Sequence, residues 1–239
     1  MRNINSRYTG YSKVLKVVFI ILLLPLVIVG CSSSGDNNID SQGGTTVNAT
    51  YSKGPVTGAT ATLRDADNNI VAGPVVTDNG NASFVDVTYN GLVYASFEGG
   101  SYTDEATGVV VTLDTSFVIR SGVIDNTATG TLDIVATPLT EIAFQRAQDA
   151  ALSLAIDLST VDFFIDRVAD EYGLDGINLS ETPPTPLTDI AGSSEGDLYG
   201  AVLAAISQQL LDAGAAPESS SLESYITGNI EETNAEAFA

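Results

Sequence analysis

Hydrophobic and polar residues alternate with a period of two in the first half of the chain beyond residue 46. The clearest case runs from Ala59 to Leu63, where apolar side chains alternate with threonines. Such a period places successive side chains on opposite faces of a strand. Turn sequences separate these segments at 65–69, at 77–81 and at Asn90-Gly91, and the last is typical of a hairpin. Seven or more short strands in about 90 residues predict an antiparallel β-sandwich, transthyretin- or immunoglobulin-like, over 47–136.

The hydrophobic period becomes helical at Thr137-Pro138, a pair suited to the N-cap and first turn of a helix. The pattern predicts helices from Pro138, from Ser159 and over about 197–213, with a short fourth helix at 221–227. A loop rich in proline and threonine lies near 180–196. We therefore expect an α+β protein in which a small α-helical module at 137–239 follows the sandwich. The helices either form a second domain or pack on the sandwich.

The N-terminal 30 residues have the pattern of a secretory signal. Four basic and no acidic residues precede an apolar run from Val17 to Gly30. That run is shorter than the roughly 20 residues of a comfortable membrane span. Residues 32–46 contain a single large apolar side chain and many turn formers, so we expect 31–46 to be a disordered tether.

Ile28-Val29-Gly30-Cys31 resembles the lipobox of bacterial lipoproteins. The resemblance implies that the Cys31 thiol receives a diacylglycerol, that residues 1–30 are removed, and that fatty acyl chains such as palmitate anchor the protein. A lone cysteine ending an ordinary secretory signal is the alternative. In that family Ser32, rather than aspartate, directs the protein to the outer membrane. Whether it faces the periplasm or the exterior stays open.

The net charge of the chain limits the classes of partner that it can bind. Beyond residue 30 there are five Lys and Arg residues against 30 Asp and Glu, a net charge of about −25. Such a surface repels nucleic acid and anionic headgroups, so we expect no nucleic-acid partner and membrane attachment only through lipid on Cys31. The chain has no histidine, and Cys31 is its only cysteine. Ser-His-Asp and Cys-His catalysis, His/Cys zinc sites and disulfides are thereby excluded.

Several segments resemble carboxypeptidase-regulatory-like domains, which are transthyretin-type sandwiches. They are Gly54 to Ala61, and Thr77-Asp78-Asn79-Gly80 with Phe84. Gly99 to Gly108 and Thr137-Pro138-Leu139-Thr140 together resemble a group of uncharacterised bacterial surface lipoproteins with a "TPLT" helical region. These resemblances imply a fold and a cell-surface location, and they bring no catalytic residues.

The loop at 102–108 concentrates oxygen donors. Glu98, Asp104 and Glu105 are candidate ligands for Ca²⁺, which takes six to eight oxygens. Tyr102 offers contact with a sugar instead. The third alternative is a hairpin whose Asp and Thr side chains cap their own backbone. No other cofactor is expected.

Three further groups of residues are weaker candidates for a crosslink, a calcium site and a catalytic pair. Lys53 could form a covalent crosslink with Asn126 if Glu98 acted as the acid, but its position before Gly54-Pro55 predicts that it points to solvent. The acidic segment at 65–69 lacks the spacing of a calcium loop and is expected to be a polar turn. The adjacent acids at 104–105 and 170–171 are unlike glycosidase pairs, which face each other across about 5–9.5 Å, and the second pair is expected to be solvated.

These observations predict a non-enzymatic, lipid-anchored cell-envelope protein with a structural, adhesive or ligand-binding role. Its expected partners are an extracellular glycan or an envelope protein. An accessory subunit of an envelope assembly is one alternative, and a carboxylate-dependent polysaccharide hydrolase is the other. The absence of tryptophan weighs against the hydrolase, because sugar clefts commonly stack sugars on large aromatic rings.

Overall fold

Nine strands precede four helices in the part of the chain that the structure describes. A computed structural model describes residues 44–127, 130–151 and 158–237, without the side chains of 158 and 231–237. Cys31 and the predicted signal and tether up to residue 43 lie outside these residues. The strands are β1 (Thr45–Tyr51), β2 (Thr60–Arg64), β3 (Ile70–Val76), β4 (Asn81–Val87), β5 (Leu92–Glu98), β6 (Ser101–Thr103), β7 (Val110–Thr112), β8 (Val118–Asp125) and β9 (Thr131–Ala136).

Seven of the strands form one sheet in the order β3-β2-β5-β8-β9-β1-β4. Its ladders are antiparallel except for the parallel pair β1 and β9. The two end strands, β3 and β4, contact each other, so the sheet curls until it is nearly closed. The predicted α+β class with a β-rich N-terminal part is confirmed. The predicted two-layer sandwich is not confirmed, because hydrogen-bonded pairs connect all seven strands.

The prediction of a hairpin at Asn90-Gly91 is wrong. The strands on either side of it, β4 and β5, do not pair: β4 pairs with β1, and β5 lies between β2 and β8. The reason is burial. Residues Val93 to Phe97 are all buried, so β5 needs neighbours on both edges and cover on both faces. The two-residue turn with left-handed backbone occurs instead at Asn79 (φ 46°) and Gly80 (φ 80°), between β3 and β4.

The helices are α1 (Pro138–Ala150), α2 (Leu158–Glu171), α3 (Glu195–Asp212) and α4 (Ser219–Ala237). The predicted start of α1 is correct, since the Thr137 hydroxyl accepts hydrogen bonds from the backbone N–H groups of Leu139 and Thr140. The helix α3 begins two residues before the predicted position, because Ser194 caps it and Asp197 completes the capping box. The helix α4 extends well beyond the predicted 221–227.

The helices pack on the sheet and share its core. The helix α1 contacts β8, β9, α2 and α4, and α2 also contacts β8. Side chains from sheet and helices form one apolar cluster, in which Tyr94 of β5 packs against Phe144 of α1 with ring centroids 4.7 Å apart. Of the two arrangements that the sequence left open, the structure therefore has the helices on the sheet.

The proline-rich loop lies along α3, where two glycines permit close approach. The backbone N–H of Thr185 donates to the carbonyl oxygen of Gly196 at 2.9 Å. A Cβ at Gly200 would overlap the carbonyl oxygen of Thr185, and one at Gly196 would lie 2.8 Å from that of Pro183. Backbone thus packs on backbone, and larger side chains at these two positions would separate the loop from the helix.

This contact predicts opposite effects for two glycine-to-alanine substitutions within helices. Gly200→Ala should lower the free energy of unfolding by about 1–3 kcal/mol, because the added methyl group displaces the loop backbone. Gly228→Ala in α4 is the matched control. Nothing lies within 4 Å of its Cβ position, so alanine should stabilise the helix by about 0.5–1 kcal/mol. Urea unfolding followed by circular dichroism measures both, and equal effects would contradict the close packing.

Candidate functional site

A polar groove of about 400 Å³ lies where β2, β5 and β8 meet the end of α1. We call it the arginine groove and define it by six of its lining residues: Arg64, Asn68, Ser96, Glu98, Arg120 and Gln148. Strand register explains the position of the floor. Thr62, Ser96 and Arg120 are cross-strand neighbours, as are Glu98 and Val118, so their side chains share one face of the sheet. The opposite face carries the apolar core, including Leu63 and Ile119.

Hydrogen bonds among the lining residues hold the groove in shape. Arg64 Nη1 donates to the carbonyl oxygen of Asn68 at 3.0 Å, and Tyr94 Oη donates to Asn68 Oδ1 at 2.8 Å. On the other side, Arg120 Nη1 donates to Gln148 Oε1 at 2.7 Å. These contacts fix the side chains before any ligand arrives, which reduces the entropy that binding would cost.

Arg120 is held in place by Glu141 and Phe144 of α1. Glu141 of α1 is fully buried and accepts bonds from the Arg120 backbone N–H at 2.7 Å, from Nε at 3.0 Å and from Nη2. The guanidinium also lies over the Phe144 ring, 4.4 Å from its centroid. A charge-assisted, multidentate bond combined with a cation–π contact leaves the guanidinium little freedom.

Thr62, next to the groove on the same sheet face, has a polar group without a partner in the described part of the chain. Its side chain is buried at 6 % exposure, and Oγ1 has no hydrogen-bond partner among the described residues. Thr62 lies opposite Ser96 in the β2–β5 ladder, so its hydroxyl is on the face that lines the groove. An unsatisfied buried hydroxyl costs free energy, and a ligand or an ordered water at this face would remove that cost.

A second hollow, of about 270 Å³, continues from the arginine groove on the far side of Arg120. Both cavities are lined by Val118 and Arg120. We call the second one the α4 hollow, because α4 forms its other wall through Glu223, Ile226 and Thr227. Gln145 lines the hollow and Gln148 lines the groove, one turn apart on α1. The two cavities therefore follow the same helix.

The structure separates the three residues that the sequence suggested as calcium ligands. Glu98 lies in the arginine groove, with Oε1 3.9 Å from Arg64 Nη2. Asp104 turns back on its own hairpin, and its Oδ1 accepts bonds from the Thr107 backbone N–H at 3.0 Å and from Thr107 Oγ1 at 2.8 Å. This is the capped hairpin that the sequence offered as an alternative. Burial alone would raise the pKa of Asp104, but the hydrogen bonds from Thr107, together with the charge of Lys53, lower it.

Lys53 does not point to solvent, so that expectation is wrong. Its side chain is 1 % exposed, and Nζ donates to Glu105 Oε2 at 3.0 Å, to the Leu203 carbonyl oxygen at 2.8 Å and to Ser207 Oγ. The reason is α3, which packs over the end of β1 and encloses the amine among oxygen acceptors. Burial, the largest influence, lowers the pKa of Lys53, although Glu105 opposes the change.

The residues considered for a crosslink to Lys53 are not assembled around it. Asn126 Nδ2 donates to the Tyr89 carbonyl oxygen at 2.5 Å, and Glu98 lies beside Arg64. The neighbours of Lys53 are instead Glu105 and Ser207, and Ser207 Oγ donates to Glu105 Oε2 at 2.9 Å. Since these bonds hold the segment after β1, the β6–β7 hairpin and α3 together, we assign the cluster a structural role.

Glu171 is not simply solvated, as the sequence had suggested. Its Oε2 lies 2.7 Å from Nη1 of Arg146, which is buried and also donates to the Asn229 carbonyl oxygen. Asp170 points elsewhere, into an acidic cleft of about 560 Å³ that Asp162 and Asp166 also line. Burial, then Asp166 and Glu181, raise the pKa of Asp162 above its usual value. A hydrogen bond with Asp175 does the same for Asp170.

Sequence reasoning missed the arginine groove. Arg64 and Arg120 were counted only as charges, and nothing in the sequence shows that their strands share a neighbour in β5. One signal was present. Arg120 directly follows the apolar segment Phe117-Val118-Ile119, where a buried charge needs a partner.

Comparisons with family models, with curated proteins and with solved structures found no match. In the described ranges, no helix is long and apolar enough to cross a membrane. Groups of three or more acidic, histidine or cysteine side chains that could hold a metal ion are not found in the same residues. The chemistry of the site is therefore argued from its own geometry.

Lys53→Met should lower the free energy of unfolding by about 3–5 kcal/mol, because it leaves Glu105 without its counter-charge in a largely buried place. Lys53→Met/Glu105→Leu should recover most of that loss, since no unpaired charge remains. Arg167→Met is the control, because Arg167 is exposed and its nearest Glu171 oxygen is 4.0 Å away. It should change stability by less than about 0.5 kcal/mol. Urea titration measures all three, and a double variant no better than the single one would contradict the structural role.

Asp162→Asn/Asp166→Asn should raise the free energy of unfolding by about 0.5–1 kcal/mol at pH 7, because like charges four residues apart on a helix repel. Since folding raises the pKa of Asp162 above 3.8, its contribution to stability is present below that value and is lost as the pH rises through the folded-state pKa. The gain should therefore vanish at pH 3. Thermal unfolding at both pH values tests this, and an equal gain at pH 3 would show that charge is not the cause.

Proposed function

We propose that this chain is a lipid-anchored protein of the bacterial cell envelope that binds a ligand in the arginine groove and catalyses no reaction. The observation that carries the proposal is the groove itself. Its converging polar side chains are already fixed by hydrogen bonds. The unsatisfied, buried hydroxyl of Thr62 lies on the same sheet face, in the position opposite Ser96. Binding sites are typically concave and preformed, with a few precisely placed polar groups. Of the structural, adhesive and ligand-binding roles, the groove favours ligand binding.

Anchorage in this proposal rests on the sequence. The apolar run before Cys31 and the lipobox-like Ile28-Val29-Gly30 support lipid attachment at Cys31. Ser32 supports transfer to the outer membrane, facing either the periplasm or the exterior. More than one acyl chain would be needed for stable attachment, because a single chain binds only marginally.

The finer fold assignment belongs to the same proposal. Only the pair Ser121 and Ala136 joins β8 to β9, so the sheet divides naturally into β3-β2-β5-β8 and β9-β1-β4. Regarded as two layers, these halves suit a transthyretin-type sandwich of the carboxypeptidase-regulatory-like kind. The core between them contains Tyr51 and Phe97, whose ring centroids are 5.0 Å apart.

The composition of the groove supports binding without turnover. A polysaccharide hydrolase of the usual kind needs two carboxyl groups facing each other across about 5–9.5 Å. The acids that line the groove and the hollow are Glu98, Glu141 and Glu223, and two of these lie against an arginine. Glu141 is fully buried and engaged by Arg120, so it is not free to protonate or attack a glycosidic bond.

An accessory role in an envelope assembly is the second candidate. Four large apolar side chains of the helical part are exposed, namely Phe163, Leu187, Leu198 and Leu211. Exposed apolar surface favours docking to another protein when it is contiguous. Crosslinking of intact cells followed by affinity purification of the full chain tests this role. A single stoichiometric envelope partner lost on Phe163→Ser would support it.

Replacing Cys31 with alanine should release the protein from the membrane, because the acyl chains are the proposed anchor. At about 0.8 kcal/mol per buried methylene, their loss removes nearly all membrane affinity. Phase partitioning in a cloud-point detergent and membrane fractionation of whole cells measure the change. Ser34→Ala is the control and should stay in the membrane fraction. A Cys31→Ala variant that also stays there would contradict lipid anchorage.

A further inference from the structure

We infer that the arginine groove and the α4 hollow together bind one uncharged saccharide chain, with Arg120 between two subsites. This rests on the proposed ligand-binding function and specifies its ligand. The two cavities meet at Val118 and Arg120 and follow the same helix, α1, through Gln145 and Gln148. A ligand longer than one cavity would therefore extend from Arg64 at one end to Thr227 at the other.

The charges of the chain and of the groove disfavour charged ligands. The chain beyond residue 30 has a net charge of about −25, which repels acidic polymers at long range. Inside the groove, Arg64 and Arg120 are the two cations. Their charges are balanced locally by Glu98 and Glu141, so no net charge is left to attract an ion of either sign. A neutral ligand is not repelled by the acidic surface and needs no counter-charge in the groove.

The polar groups match hydroxyls, which both donate and accept. Asn68 Oδ1 and Gln148 Oε1 are already engaged by Tyr94 and Arg120, which directs the remaining capacity of these amides to donation. Glu98 offers acceptor oxygens, and the Ser96 hydroxyl does both. The groove therefore presents both donors and acceptors, and Val118 provides an apolar surface for the C–H face of a sugar ring.

A peptide fits the same surface poorly. The floor strands β2 and β5 have hydrogen-bonded neighbours on both sides. Only Ser121 of β8 pairs with β9, but the Arg120 backbone is engaged by the side chains of Glu141 and Thr140, so an added strand finds little free edge there. A helical peptide needs an apolar groove, whereas six of the nine lining positions carry charged, amide or hydroxyl side chains other than tyrosine. The remaining recognition mode is contact with side chains, which suits a saccharide.

The test uses the full chain, purified in a detergent without a sugar headgroup, and fluorescently labelled oligosaccharides in an anisotropy titration. The neutral probes are maltohexaose and the hexamers of mannose, of xylose and of N-acetylglucosamine. The charged probes are hexagalacturonate and the hexamer of glucosamine. At least one neutral hexamer should bind at least about 10-fold more tightly than both charged hexamers, a difference of about 1.4 kcal/mol.

Matched variants locate the site. Gln148→Ala and Arg64→Ala should each weaken binding of that neutral hexamer by about 10-fold, because each removes a groove donor. Gln208→Ala and Arg167→Ala, which make the same changes on exposed faces of α3 and α2, should leave it unchanged. For the second subsite, Thr227→Val should weaken the hexamer and leave the disaccharide of the same sugar unaffected. Thermal unfolding of each variant confirms that it is folded.

The outcomes separate the inference from the function on which it rests. No binding of any neutral hexamer, or loss of binding equal in Gln148→Ala and Gln208→Ala, overturns the inference. Tighter binding of a charged hexamer that Gln148→Ala abolishes overturns the uncharged class and leaves ligand binding in the groove intact. Mass spectrometry of the incubated samples adds one more distinction, because shortened neutral oligosaccharides would overturn the non-enzymatic function and leave the ligand class standing.

Discussion

The ion pair between Arg120 of β8 and Glu141 of α1 joins the sheet to the helices, and much of the remaining structure depends on it. Glu141 is fully buried in the first turn of α1, where the helix dipole favours an anion. It accepts from both the backbone and the guanidinium of Arg120, so the helix is fixed against one strand in one orientation. Removing either partner of such a pair leaves a buried charge, which typically costs about 3–5 kcal/mol.

The same pair shapes the candidate site. Because Glu141 and Phe144 hold one side of the guanidinium, Arg120 stands between the arginine groove and the α4 hollow and reaches Gln148. The groove is thus lined by side chains from three strands and from α1, and the ion pair holds α1 against β8. A second buried pair, Lys53 with Glu105, lies just beyond the end of β1, where it holds the β6–β7 hairpin and α3 in place. Two of the few cations after residue 30 therefore stabilise contacts between sheet and helices.

The comparison of sequence and structure separates local from distant effects. The cap at Thr137 and the turn at 65–69 follow from residues within a few positions of each other, and the structure agrees with both. Strand pairing and the burial of charged side chains were harder to predict from the sequence. Asn90-Gly91 resembles a hairpin turn locally, yet β5 pairs with strands far away in the chain. Lys53 resembles an exposed turn residue, yet α3, about 150 residues later, covers it.

By itself, the sequence determined the α+β order, the positions of most turns and helix starts, the strongly acidic surface and the absence of imidazole chemistry. These depend on side-chain type and local spacing. Tertiary structure decided that α1 packs on β8, that Glu98 and Glu105 belong to different neighbourhoods, and that Arg64, Ser96 and Arg120 line one groove. The physical reason is that strand order and helix docking are set by long-range burial. A buried charge must find a partner wherever the fold places one, and periodicity carries no information about which partner that will be.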